Sequence, residues 1–171
     1  MKRLSLFVVA LSVLVSACGS SSTSPTTPTN PTFTAALSPG NEVPAIQGAE
    51  AAGSGTATVT MVTTKDSAGN VTAATATFVV NLSGFPAGTP INIAHIHQAA
   101  AGVNGAIVVN SLITAGQNVL TNGSGSFTAP NLTVDPAVAN AILANPAGFY
   151  FNVHSTLNPG GVARGQLVRQ Q

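Results

Sequence analysis

Charged side chains are scarce in this sequence. They make up 5% of its 171 residues, whereas globular proteins typically carry about 25%. The five basic residues are scattered along the chain and cannot build a phosphate-neutralising surface, which argues against nucleic-acid binding. Apolar residues still make up 44% of the chain, so a core can form and intrinsic disorder is not expected.

Side chains that commonly carry catalysis are also few. The sequence has no tryptophan, one cysteine, three histidines and four acidic residues, namely Glu42, Glu50, Asp66 and Asp135. Asp66 lies in a predicted turn and Asp135 begins a predicted helix, which leaves Glu42 and Glu50 as the remaining carboxylate pair for glycoside hydrolysis. The sequence contains neither a G-x-S-x-G nucleophile elbow nor a phosphate loop ending in G-K-[ST]. We therefore expect a protein that is not an enzyme.

The N-terminus has the pattern of a bacterial lipoprotein signal. Lys2-Arg3 precedes an apolar run from Leu4 to Val15, which is too short to span a bilayer, since that takes about 20 residues. The run ends in Val15-Ser16-Ala17-Cys18 and resembles a lipobox, whose cysteine is lipidated and becomes the new N-terminus. We predict a signal peptide at residues 1–17 and a lipidated Cys18. The alternative is a plain signal peptide in which Cys18 has no role.

Residues 18–32 have the composition of a tether. The stretch from Gly19 to Pro31 is rich in Ser, Thr and Pro and has nothing to bury. Such a tether would hold a folded domain, expected at residues 33–171, off a bacterial membrane to which the lipid attaches it. Gly19 is not the Asp that often retains lipoproteins in an inner membrane. This favours export to the outer membrane, on its periplasmic face or at the cell surface.

From Phe33 onward, apolar and polar residues alternate in short runs separated by Gly, Pro and Asn. Alternation with period two is typical of half-buried antiparallel strands. The pattern predicts an all-β fold, an antiparallel β-sandwich with Greek-key connections that is immunoglobulin-like or superoxide-dismutase-like. The predicted strands are Phe33–Leu37, Gly55–Met61, Val71–Leu82, Ile91–His97, Ala106–Leu112, Gly123–Ala129, Gly148–His154 and Val162–Arg169.

One segment near residues 135–145 has the period of a helix instead. Asp135 followed by Pro136 is a helix N-cap with proline at the first helical position. Val138, Ala141 and Ile142 then recur at helical spacing before Asn145-Pro146. The sequence therefore predicts one short helix between two strands.

The three histidines are the main chemical signal. His95 and His97 are two residues apart on a predicted strand, so both should lie on one face together with Ile91 and Ile93. His154 shares the predicted face of its own strand with Tyr150 and Asn152. If the two strands approach each other, three imidazoles would suffice for zinc or copper, with water in an open position. The alternative is that each histidine is a solvent-facing or hydrogen-bonded strand residue.

Three stretches resemble motifs of the CHRD (chordin-type) domain family. They are the opening Leu37–Pro44, the His-Ile-His strand and Gly-punctuated loop of Ala94–Val109, and the closing motif, which comprises Tyr150–Ser155, Asn158–Gly161 and Arg164–Leu167. The resemblance runs from Phe33 to Val168. It implies a β-sandwich module that is secreted or attached to a surface. Val162 stands where the family usually has Glu, so a role for that carboxylate does not carry over.

The resemblance to CHRD domains favours a non-enzymatic binding or adhesion module for an unidentified protein or surface ligand. A weaker similarity, to copper/zinc superoxide dismutase, rests on the His-x-His strand before a Gly-rich loop. The paired copper and zinc sites of that enzyme need more histidines than the three present here, so a complete dismutase site is excluded. The alternative function is a mononuclear copper- or zinc-binding protein that uses His95, His97 and His154.

Two of the few charges lie within the family-like motifs. Glu42 follows the first predicted strand, and Arg164 lies on the last. Because terminal strands of a sandwich often lie near each other, we predict a partly buried Arg164 that contacts either the Glu42 carboxylate, as a structural ion pair, or backbone carbonyls of the Asn158–Gly161 loop. The alternative is an exposed arginine without a fixed partner, worth about 0–1 kcal/mol at most.

Overall fold

The computed structural model describes residues 30–171. The predicted signal peptide, the lipidation site Cys18 and all but the last residues of the predicted tether lie outside this range. The first strand begins at Thr32, one residue before the predicted domain boundary. The strands are β1 Thr32–Leu37, β2 Ser54–Lys65, β3 Val71–Ser83, β4 Thr89–Gln98, β5 Ala106–Asn110, β6 Asn118–Leu120, β7 Gly125–Val134, β8 Phe149–Ser155, β9 Ala163–Gln166 and β10 Val168–Arg169.

These strands form two antiparallel sheets packed face to face, which confirms the predicted all-β sandwich. The first sheet has the order β10-β1-β2-β3-β7, and the second has the order β5-β4-β8-β9, with β6 paired to β4 beyond the end of β5. Four connections cross between the sheets: β3 to β4, β6 to β7, β7 to β8 and β9 to β10. Phe78 of the first sheet and Phe151 of the second meet edge to face in the core, with ring centroids 5.0 Å apart.

The predicted last strand, Val162–Arg169, is wrong as a single element. The chain leaves the second sheet after β9 and enters the first sheet as β10, and the change occurs at Leu167, which is fully buried between them. Before this point β9 runs against the end of β1, where Ser38 and Arg164 form an antiparallel bridge. Gly165 allows this approach, because a Cβ atom there would lie 2.1 Å from the carbonyl oxygen of Ala36. The two sheets are thus joined along one side.

The predicted helix is confirmed as α1, Pro136–Ala144. The Asp135 side chain caps it and accepts hydrogen bonds from the backbone amides of Ala137 and Val138 at 2.8 and 3.3 Å. Two short 3-10 helices, Pro39–Asn41 and Pro146–Gly148, and the short strand β6 were not predicted. Within residues 30–171, no helix has the length and apolar character needed to cross a membrane.

Strand β8 is buried on both of its faces, and this feature positions the candidate site. Phe149, Phe151 and Val153 face the core, as the alternation predicts. Tyr150, Asn152 and His154 point the other way, where a sandwich strand normally meets water. Three loops, 39–46, 99–105 and 156–162, cover that outer face instead, and they contact it through Glu42, Gly105 and Pro159. The second sheet therefore carries a buried polar layer on the side opposite the hydrophobic core.

Candidate functional site

A β-bulge decides which side chains of β4 enter this polar layer. The register of β4 against β8 shifts between Ile91 and Ile93, which pair with Ser155 and His154. The extra residue reverses the alternation, so Ile91 points into the core, where it is fully buried. The prediction that Ile91 shares a face with the histidines is therefore wrong. His95 and His97 lie beyond the bulge and both face the polar layer.

The structure brings the three histidines together. His95 lies directly opposite Asn152 on β8, and His97 lies opposite Tyr150, so His154 is the diagonal neighbour of His95. His95 Nδ1 is 3.2 Å from His154 Nε2. One ligand nitrogen from each of the three imidazoles lies within 4.8 Å of the others. The three side chains are 4, 8 and 7% exposed in chain order, so they do not face bulk solvent as isolated strand histidines would.

Backbone carbonyl groups set the tautomers of two of these rings. His97 Nδ1 lies 3.0 Å from the carbonyl oxygen of Gly105, and His154 Nδ1 lies 2.9 Å from that of Pro159. Because a carbonyl oxygen can only accept, each Nδ1 carries the proton and each Nε2 keeps its lone pair. A metal-binding histidine is usually oriented in this way by a partner on its other nitrogen.

Two imidazole nitrogens in the cluster are buried without a partner in residues 30–171. They are His95 Nε2 and His97 Nε2. Buried polar atoms are nearly always hydrogen-bonded, since an unpaired one costs about 1–3 kcal/mol. A cation held by the cluster would satisfy both nitrogens. The donor set, three neutral imidazoles, fits zinc or copper.

Burial keeps the cluster uncharged at neutral pH. Desolvation lowers the pKa of His95 from 6.5 to about 4, with smaller contributions from His154 and His97. Burial also lowers the pKa of His97 and His154, and the carbonyl partners of these two rings oppose that shift only in part. Neutral imidazoles are the form that binds metals, so the ligands are ready without losing a proton.

Gly105 explains how the loop after β4 reaches the site. A Cβ atom at this position would lie 2.1 Å from the carbonyl oxygen of Gln98, so only glycine allows the loop to fold back so closely. This approach places the Gly105 carbonyl on His97 and its amide 3.3 Å from the Tyr150 hydroxyl oxygen, to which it donates. The Gly-punctuated loop that follows the His-Ile-His strand is therefore part of the site.

Glu50 secures the loop that supports His154. It is almost fully buried and accepts hydrogen bonds from Ser155 Oγ at 2.6 Å and from Asn158 Nδ2 at 2.5 Å. The Ser155 hydroxyl oxygen in turn accepts a hydrogen bond from the backbone amide of Asn158 at 2.9 Å. These bonds tie down the turn that presents the Pro159 carbonyl to His154. Sequence reasoning considered Glu50 only as a candidate for glycoside hydrolysis, and the structure gives it this supporting position.

Tyr150 connects the histidines to the predicted ion pair. Its ring stacks on that of His97, with centroids 4.8 Å apart and planes 3° from parallel. The Arg164 guanidinium carbon lies 4.5 Å from the Tyr150 ring centroid, in the geometry of a cation–π contact. Imidazole, phenol and guanidinium therefore form one continuous packed group across β4, β8 and β9.

The structure places Glu42 and Arg164 in direct contact, and both are buried. Arg164 Nε and Nη2 donate to the same carboxylate oxygen of Glu42, Oε2, at 2.7 and 2.5 Å. Nη2 also donates to Asn104 Oδ1 at 2.8 Å, which brings the 99–105 loop onto the pair. Burial raises the pKa of Glu42, and the Arg164 hydrogen bond and charge lower it to a smaller extent. Gly161 leaves room for the carboxylate, since a Cβ there would lie within 2.9 Å of both oxygens.

A cleft opens beside this ion pair. Its volume is about 330 Å³, and its lining includes Glu42, Arg164, exposed Val43 and the turn at Ala101-Gly102. Glu42 Oε1 and Asn152 Oδ1 are buried nearby without hydrogen-bond partners in the described residues. The cleft is therefore adjacent to the polar layer but has its own lining, in which none of the histidines takes part.

Comparison with known proteins identifies the family. The CHRD domain model matches residues 33–167, nearly all of the residues that the structure describes, and the chain belongs to the CHRD domain family. Searches of the curated proteins and of the solved structures found no match. All of the site residues described above lie within the matched range.

We predict that the metal-free protein loses stability as the pH falls from about 7 towards 4.5. The unfolded histidines titrate near pH 6.5 while their folded pKa values are lower, so the unfolded chain binds more protons in this window and stability rises with pH. Protonating His95 alone costs the folded state on the order of 3 kcal/mol once the pH has fallen to about 4. Glu42, whose pKa is raised, acts in the opposite direction and offsets part of the loss.

Denaturant unfolding in the presence of a chelator at several pH values measures this dependence. His95→Gln should flatten the curve, because it removes the most strongly shifted of the three groups. Unfolding free energies that do not change between pH 7 and pH 4.5 would contradict the prediction.

We predict that Glu42 and Arg164 are strongly coupled. Arg164→Met or Glu42→Gln alone should cost about 3–5 kcal/mol, because each leaves a buried partner uncompensated. The double variant should be no less stable than the worse single variant. Unfolding of the three variants forms a double-mutant cycle, with Arg169→Ala at an exposed position as a control that should shift stability by less than about 0.5 kcal/mol. Strictly additive effects would show that the pair is not coupled.

Proposed function

We propose that this CHRD domain binds one metal ion through His95, His97 and His154. The observation that supports the proposal most directly is the pair of buried, unpartnered nitrogens, His95 Nε2 and His97 Nε2, in a cluster of three imidazoles whose ligand nitrogens lie within 4.8 Å of one another. A buried nitrogen without a partner costs stability, and a bound cation would remove that cost for both atoms. Copper and zinc are the ions whose ligand preferences suit three imidazoles.

The proposed role is binding, without catalysis. The site offers a closed set of ligands covered by loops, and its histidines are nearly inaccessible to solvent. A catalytic metal site keeps an accessible position for substrate or water. In this proposal the domain is a non-enzymatic module, and its ligand is a metal ion.

The cleft beside Glu42 and Arg164 supports a second candidate function, contact with a protein or surface ligand. Its volume of about 330 Å³ is near the lower limit for small-molecule sites. Exposed Val43 and Val103 lie on the two loops beside it. In this second candidate function, the domain acts as an adhesion module that binds its partner through the cleft.

We further propose that the domain acts outside the cytoplasm on a lipid anchor. The support is the sequence alone: the lipobox-like Val15–Cys18 and the Ser/Thr/Pro-rich segment after it. A tether of this kind lets the domain reach away from the membrane surface. The proposed location is the outer membrane, on its periplasmic face or at the cell surface.

Metal analysis of the purified mature protein tests the binding site. After loading with copper or zinc and removal of free ion, we expect about one ion per chain. Replacing any one histidine by Gln should weaken binding by more than the 10–100-fold typical of losing a supporting residue. Gln98→Ala, at an exposed position of the same strand, is the control and should bind like the unmodified protein. Equal binding by the histidine variants would refute the site.

Membrane fractionation tests the anchor. Cys18→Ser should release the protein into the soluble extracytoplasmic fraction, because the tether has no apolar segment that would hold it to a bilayer. Ser16→Thr keeps Cys18 and serves as a control that should stay membrane-bound. Mass spectrometry of the unmodified protein should show a lipidated Cys18 at the mature N-terminus, and an unmodified cysteine would contradict the proposal.

A further inference from the structure

We propose that the ion held by the three histidines is copper in the cuprous state, and that the site selects it by providing no negatively charged ligand. This inference rests on the proposed metal-binding function. It depends on where the few acidic residues of the chain are placed. The chain has four of them in all, and each is engaged in a different contact.

The two buried acids are both committed away from the imidazoles. Glu42 binds Arg164 through its Oε2 atom. Glu50 accepts hydrogen bonds from Ser155 and Asn158 in the turn behind His154. The unpartnered oxygen of Glu42, Oε1, belongs to a carboxylate that Arg164 already binds.

The two exposed acids are engaged in local structure elsewhere. Asp66 accepts hydrogen bonds from the amides of Ala68 and Asn70 in the β2–β3 turn, each at 2.9 Å. Asp135 caps α1. A metal ion in the cluster would therefore meet three neutral imidazole ligands and no carboxylate ligand.

Because the three neutral ligands are buried, the site favours a monovalent ion over a divalent one. The cost of removing an ion from water grows with the square of its charge, so a divalent ion loses about four times the hydration energy of a monovalent one of similar size. In most sites for divalent ions, nearby carboxylates offset this loss of hydration energy. The Arg164 cation disfavours a divalent ion further, because it lies over the Tyr150 ring that stacks on His97.

Coordination number favours the same ion. Zinc sites are almost always four-coordinate, so a three-histidine zinc site takes up water or hydroxide as its fourth ligand. Here the ligand nitrogens are buried beneath loops that the Gly105 and Pro159 carbonyls hold in place. Cuprous copper is satisfied by three imidazoles and needs no fourth ligand. The site thus matches both the charge and the coordination of the monovalent ion.

The test measures two affinities of the full mature chain at pH 7 under anaerobic conditions. Competition with bicinchoninate gives the affinity for cuprous copper, and competition with a chromophoric zinc chelator gives the affinity for zinc. We expect cuprous copper to bind at least 100-fold more tightly than zinc. Zinc affinity equal to or above that for cuprous copper would overturn the inference while leaving the metal site itself intact.

Asn152→Asp gives a sharper second measurement. The change is nearly isosteric and adds one negative charge directly opposite His95 on the neighbouring strand. One added negative charge attracts a divalent ion twice as strongly as a monovalent one. The ratio of the affinity for cuprous copper to the affinity for zinc should therefore fall at least 10-fold. Asn81→Asp makes the same change at an exposed position of the first sheet and is the control, in which the ratio should remain within a few-fold of the original.

Three outcomes are distinguishable. If no metal binds the unmodified protein, the proposed function fails. If metal binds but Asn152→Asp leaves the ratio unchanged, the charge argument is wrong. Should Asn152→Asp fail to fold, the two affinities of the unmodified protein decide the question alone.

Discussion

The Arg164 guanidinium is the interaction on which the rest of the polar layer depends. Its charge is buried, and water is replaced by the Glu42 carboxylate, the Asn104 amide oxygen and the face of Tyr150. These partners come from two separate loops and from β8, while the Arg164 backbone bridges to Ser38 at the end of β1. An unpaired buried charge is far more costly than a surface one, so the loops must close over it for the fold to be stable. The covered histidines are a consequence of that closure.

Much of this arrangement could be predicted from the sequence, because strand alternation is a local property. It places Tyr150, Asn152 and His154 on one face of β8. The Asp135 cap of the short helix is also local, because it depends only on the residues next to it in sequence. Two features could not be read in this way. The bulge before Ile93 reverses the face of Ile91, and the change of sheet at Leu167 divides what reads as one strand; both depend on which neighbour the strand pairs with. Glu50 was missed as a supporting residue because no motif links it to the turn after β8, which it reaches across more than 100 residues of sequence.

The scarcity of charged side chains also affects how the histidine rings are held in place. A metal-binding histidine is usually oriented by a carboxylate, a backbone carbonyl or a water on its other ring nitrogen, and a carboxylate also compensates the charge of a bound cation. Here the orienting partners are backbone carbonyls of Gly105 and Pro159, which supply dipoles without net charge. The ring positions therefore depend on loop backbone geometry, and hence on residues such as Gly105 whose only contribution is the absence of a side chain.

The pairing of β1 has a mechanical consequence. Thr32 is the point at which the segment before the domain joins the first sheet, and β1 lies between β2 and β10, hydrogen-bonded on both sides. A force that pulls on this segment along the strand direction loads the two rows of hydrogen bonds together, in shear. They cannot open one at a time, as they would at the end of a peeled edge strand. The histidines lie on the outer face of the other sheet, so such a load enters the molecule in the layer that does not contain them.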